Sequence, residues 1–227
     1  MLHPTGIILM IVVALVGWLV QAKLQSKFKK YSQIPVRSRM TGRDVALKML
    51  HDNGIYDVQV ISVRGQLTDH YNPLNKTINL SESVYGSYSV AAAAVAAHET
   101  GHAIQHARAY APLKMRSALV PVVSISSRFV MWVILAGFLL IHTLPALIWI
   151  GIAMFAMTTL FSFITLPVEV NASNRAIAWL ENTGITDGSN QAEAVDALGR
   201  LYVCGGSTGF AGDACILYND SIEQTIS

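Results

Sequence analysis

Between residues 118 and 166 the chain carries one charged side chain, Arg128, and no acidic one. No soluble surface can be built from such a stretch. A helix of about 20 apolar residues crosses a bilayer, so the segment is long enough for two crossings. His142-Thr143-Leu144-Pro145 supplies the turn, because proline ends a helix more readily than it continues one. The pattern predicts a helical hairpin with arms over 120–141 and 146–166, the form that satisfies every backbone polar group inside lipid. Arg128 is read as snorkelling to a nearby interface, the alternative being a place facing protein within the bundle. The whole chain agrees in composition, with 52% hydrophobic residues, 13% charged residues and a mean hydropathy of +0.43.

A second apolar run, residues 7–20, is a little short of a full span and lacks the basic leader and small-residue exit of a cleaved signal peptide, so it reads as an uncleaved anchor. Residues 23–116 hold 13 basic against 6 acidic side chains, with Lys23, Lys27, Lys29, Lys30, Arg37, Arg39 and Arg43 close behind the anchor. The excess of Lys and Arg places that flank in the cytoplasm. About three transmembrane helices then return both polar regions to the same side of a cell membrane. Four parts follow: an anchor over 1–22, a region over 23–117, the hairpin over 118–166, and a C-terminal helical region over 167–227. The last has 2 basic and 8 acidic residues, opposite in balance to the second, which favours docking between them. The expected fold class is a mostly α membrane protein with a small mixed α/β part.

Local signals sketch that part. Thr41-Gly42-Arg43-Asp44 has the form of a capping box before a short helix that stops at Asn53-Gly54. Residues 58–63, 67–71 and 77–80 read as short strands, the last two flanking the turn Asn72-Pro73-Leu74-Asn75. Ser89 caps a long alanine-rich helix running to about residue 109. After the hairpin, 168–182 and 190–202 read as two further helices. A net charge of +2 excludes a nucleic-acid binder, and two cysteines, Cys204 and Cys215, exclude a disulfide framework or a four-thiolate zinc module. In a reducing compartment both are expected to be free thiols.

The alanine-rich helix carries His98-Glu99-Thr100-Gly101-His102. Histidines four residues apart lie about 6 Å apart along one face, so both imidazoles can reach one tetrahedral zinc ion. The adjacent Glu99 is then placed to act as general base toward a water acidified by the ion. The competing reading is a helix with two incidental histidines beside a packing face. A catalytic zinc needs a third protein ligand. His106 is excluded by distance, lying about 12 Å along the axis from His98, and is read as a supporting or surface residue. The extended HExxHxxGxxH form is excluded because Gln105 and Arg108 stand at its glycine and last histidine. A distant carboxylate or histidine must complete the set. Glu169 is preferred as the first acidic residue after the hairpin, near the start of a helix on the predicted cytoplasmic side, with Glu181 and Glu193 as the next carboxylates. Its other reading is a carboxylate favoured by the helix dipole.

These segments together, Asp69-His70-Tyr71-Asn72-Pro73, Asn79-Leu80-Ser81, His98 through His106, the hairpin and Pro167-Val168-Glu169, resemble the YugP-type family of neutral membrane zinc metallopeptidases over roughly residues 1–185. The resemblance implies a gluzincin with one Zn2+ held by His98, His102 and Glu169, and with Glu99 as base. It is similar in layout to the HtpX-like and CAAX prenyl endopeptidases, whose third ligand lies in a Glu-x-x-x-Asp pattern. Ser173 stands where that aspartate would be, leaving the support of a zinc-bound histidine to Asn171, Asn174 or a backbone carbonyl. Arg175, His70 and Tyr71 are the candidates for steadying an oxyanion. The expected function is a membrane-embedded zinc endopeptidase acting on peptide or protein substrates at the cytoplasmic face. An edge strand near 67–71 or 77–80 is available to pair with an extended substrate. The alternative is a catalytically silent, zinc-stabilised membrane scaffold or adaptor. Lipid is an expected partner, whereas a membrane-protein partner or a homo-oligomer is left open.

Overall fold

A computed structural model describes residues 4–65, 68–186 and 188–201. Its elements run α1 (Pro4–Tyr31), α2 (Gly42–Asp52), β1 (Gln59–Val63), β2 (His70–Asn72), β3 (Thr77–Ser81), α3 (Glu82–Tyr85), α4 (Val90–Ala107), α5 (Ala111–Leu139), α6 (Ala146–Asn182) and α7 (Gly188–Leu201). The protein is mostly helical with one small mixed sheet. Cys204, Cys215 and the expected thiol state lie outside the described residues, as does Leu67 of the second expected strand.

Caps set the two helices that frame the core. At α2 the Thr41 hydroxyl accepts from the Asp44 N–H at 3.2 Å while the Asp44 carboxylate accepts from the Thr41 N–H at 3.1 Å, the reciprocal pair that the sequence signals. At α4 Ser89 Oγ accepts from the Ala92 N–H. The core lies between these helices and the sheet, with Val45, Met49, Leu50, Ile78, Leu80, Val84, Ala93, Ala97 and Ile104 buried in it. Alanines along α4 keep its neighbours close. The sheet order is β1-β3-β2, with β1 parallel and β2 antiparallel to the fully buried β3. β2 is therefore an edge strand, and it packs beside α4.

α5 and α6 are long and apolar enough to cross a membrane, and their apolar stretches are almost wholly unburied by protein. They form the expected hairpin. Gly137 lies against Ile148 and Gly151 against Ile134, so closely that a Cβ on either glycine would come within 2.8 Å of an isoleucine side chain. Two expectations about boundaries change. α5 begins at Ala111, well before residue 120, because Pro112 sits in its first turn, where a missing N–H costs nothing. The separate helix expected over 168–182 is instead the last part of α6, which passes through Pro167 without a break. An interior proline costs about 3 kcal/mol. That penalty is offset because Val168, Glu169, Ala172, Ser173, Ala176 and Leu180, spaced at three and four residues, bury one continuous stripe.

α1 contains the first apolar run and continues to Tyr31, with Ile8, Ile11, Leu15, Trp18 and Leu19 exposed. Its far end is tied down. Lys27 Nζ lies 3.0 Å from the Asp196 carboxylate on α7, and the Tyr31 hydroxyl donates to the same oxygen.

Candidate metal centre

The centre is assembled where α4 crosses α6. A Cβ added to Gly101 would lie 2.6 Å from the Ala172 carbonyl oxygen, so the absent side chain is what lets the two backbones approach. Both histidines flanking that glycine then face α6. His98 Nε2 lies 3.3 Å and His102 Nε2 3.2 Å from the same oxygen, Glu169 Oε2. Their rings meet edge to face with centroids 4.8 Å apart. The three residues are buried, and one ligand atom from each lies within 4.8 Å of the others.

A carboxylate and two imidazoles converging in the interior require a cation or a proton between them. The metal-free state uses a proton. Burial by itself works against the charged form of His102, but the Glu169 carboxylate outweighs it and pushes the His102 pKa up from 6.5 to about 9. Among the described residues Glu169 Oε1 is buried without a hydrogen bond, and the Arg116 guanidinium lies 4.0 Å from it. Two nitrogens, one oxygen and an unsatisfied carboxylate oxygen form a donor set that fits zinc.

Both imidazoles are braced from behind. Ser173 Oγ lies 2.6 Å from His98 Nδ1, and Gln105 Oε1 lies 3.0 Å from His102 Nδ1. A histidine that binds metal through Nε2 carries its proton on Nδ1, so both oxygens act as acceptors there. The Gln105 amide in turn donates to the Val168 carbonyl at 2.8 Å and to Asn171 Oδ1 at 3.0 Å. Arg175 Nε donates to that same Asn171 oxygen at 2.9 Å. Support for the histidines thus comes from Ser173 directly and from Asn171 through Gln105.

Glu99 occupies the partly exposed side of α4, where its Oε2 accepts from the Tyr71 N–H of β2 at 3.0 Å. The Tyr71 hydroxyl lies 2.8 Å from His106 Nδ1, and burial, followed by repulsion from Asp57, pushes its pKa up to about 12. One residue of the edge strand is therefore pinned to α4 twice. Asp69 anchors the approach to the same strand by accepting from the Ser81 N–H at 2.7 Å, and burial raises its pKa.

Not every candidate converges. His106 is engaged by Tyr71, His70 Nδ1 lies 2.8 Å from the Thr68 carbonyl, and Arg175 is held on Asn171. Two contributors are not among the residues that the sequence singles out. Gln105 stands three residues after His102, one helical turn on, a spacing that could have marked it. Arg116, at the start of a membrane-length helix, carries no local signal, because its relation to Glu169 exists only across the hairpin.

A protein family described as "Putative neutral zinc metallopeptidase" matches residues 6–203. The chain is 46% identical over 156 residues to a protein of Bacillus subtilis (strain 168) named "Putative membrane protease YugP", covering 69% of this chain and 68% of that one. No solved structure matches this chain. The chain belongs to the neutral zinc metallopeptidase family described by that match.

Proposed function

We propose that the protein is a membrane-embedded zinc endopeptidase that hydrolyses peptide bonds at the cytoplasmic membrane face, with His98, His102 and Glu169 holding the ion and Glu99 as general base. The observation that carries the reading is the meeting of two histidines and one glutamate, from two helices, at a single buried point. Bound there, zinc acidifies water and polarises a carbonyl. The remaining chemistry belongs to side chains of this chain.

Glu99, oriented by the Tyr71 N–H, takes a proton from the attacking water and returns it to the departing amine nitrogen. Ser173 and Gln105 keep both imidazoles in one tautomer and one orientation. An extended substrate lying along β2 would bring its carbonyl past Glu99. Three crossings, α1, α5 and α6, put this apparatus on the side of the basic flank behind α1.

The test is cleavage of unfolded casein by the purified protein in lipid nanodiscs, with zinc measured by atomic absorption. Wild type is expected to contain one zinc per chain and to cleave, and a chelator is expected to stop the cleavage. Glu99→Gln is expected to retain the zinc and lose activity by at least about 1,000-fold. Unchanged turnover in that variant would remove Glu99 from the mechanism, whereas zinc without turnover in the wild type would favour the scaffold.

A further inference from the structure

Arg128 is the one charge between residues 118 and 166, and its position along α5 works against snorkelling. α5 and α6 run antiparallel in step, Gly137 against Ile148 and Gly151 against Ile134 toward the turn, and Arg116 beside Glu169 at the other end. At 1.5 Å per residue, Arg128 stands about 18 Å along α5 from Arg116 and about 16 Å from Leu139. In a hydrocarbon layer of about 30 Å this is the midplane, deeper than one side chain can span to either surface. Among the described residues Arg128 makes no ion pair, and its side chain is exposed. Ile125 and Trp132, also exposed, share its helix face at spacings of three and four residues.

A face of this kind needs an anionic occupant. Neither the part of α6 up to residue 166 nor the first apolar run can provide one, since residues 1–22 and 118–166 contain no Asp or Glu. For the same reason a second copy of the chain would bring only another Arg128. We propose that this face of α5 docks a transmembrane helix of a different protein that carries one Asp or Glu near its middle, its carboxylate paired with the Arg128 guanidinium. The inference rests on the membrane reading of the hairpin. A helix seated there leaves the bilayer at the α5 end that bears Arg116, so its juxtamembrane segment is the part presented to the metal centre.

The test reconstitutes the full chain in phosphatidylcholine vesicles with a fluorophore-labelled polyleucine helix holding one central Glu, and reads association by energy transfer. Matched helices carry central Gln or Leu. The Glu helix is expected to bind wild type at least tenfold more tightly than the Gln helix, and Arg128→Leu is expected to abolish that preference. Arg128→Glu is expected to transfer the preference to a helix with a central Lys. Equal binding of all helices, or a preference that survives both substitutions, overturns the proposal. A fluorophore on Trp132→Cys, with Cys204 and Cys215 changed to Ser, reports depth separately. Quenching by lipids brominated near the chain ends supports the membrane reading, so that the association result judges the docking alone. Quenching only by aqueous iodide overturns both.

Discussion

Ser173 Oγ sits 2.6 Å from Nδ1 of His98, joining two residues 75 positions apart in the chain. Position 173, one helical turn after Glu169, thus reaches a histidine with a neutral oxygen. A hydroxyl can set the tautomer and the ring orientation, although it adds less negative charge to the imidazole than a carboxylate would.

Ser173→Ala is therefore expected to leave the helical content unchanged while weakening zinc binding by about 10–100-fold, the usual consequence of losing a partner behind a metal-bound histidine. Competition with a fluorescent chelator measures this directly. An affinity equal to wild type would show that the hydroxyl does not hold the ring.

Zinc binding is expected to release a proton. The His102 pKa in the metal-free fold, about 9, lies above its ordinary 6.5. With Glu169 ionised, the contribution of the protonated His102 to stability is therefore full below about pH 6.5 and disappears as the pH rises through about 9. Metal must displace that proton. Calorimetric titration with zinc in two buffers of different ionisation enthalpy should show close to one proton released per ion near neutrality and almost none above the His102 pKa. Release that does not vary across this range would contradict a protonated His102 in the metal-free fold.

Gly101→Ala should damage the centre without removing any of its side chains. The new Cβ would stand 2.6 Å from the Ala172 carbonyl oxygen, which belongs to backbone and has no rotamer by which to withdraw. α4 and α6 must separate, and both imidazoles then lose Glu169. A destabilisation of about 1–3 kcal/mol is expected from overpacking, together with substoichiometric zinc. Thermal melts of the metal-free and zinc-loaded variant would show the second effect as a lost zinc-dependent rise in Tm.

Elements governed by close neighbours along the chain are legible in the sequence. The capping box at Thr41, the Ser89 cap, the alanine-rich helix and the hairpin turn depend on hydrogen bonds and apolar periodicity within a few residues. Pro167 misleads because its local cost is real, but a buried stripe on the same helix outweighs it. Chain order alone favours Glu169, and its position opposite both histidines depends on an approach that Gly101 permits.

Helical periodicity and bilayer thickness act along the chain, so the order of residues is enough to specify a two-armed apolar hairpin and two histidines one turn apart on a helix. It is the packing of separate elements that makes Ser173 and Gln105 brace those histidines, Tyr71 hold Glu99, and Arg116 face Glu169. Each of these contacts joins groups from different helices or strands, or depends on a side-chain rotamer set by packing, and no spacing along one segment encodes where two segments will touch.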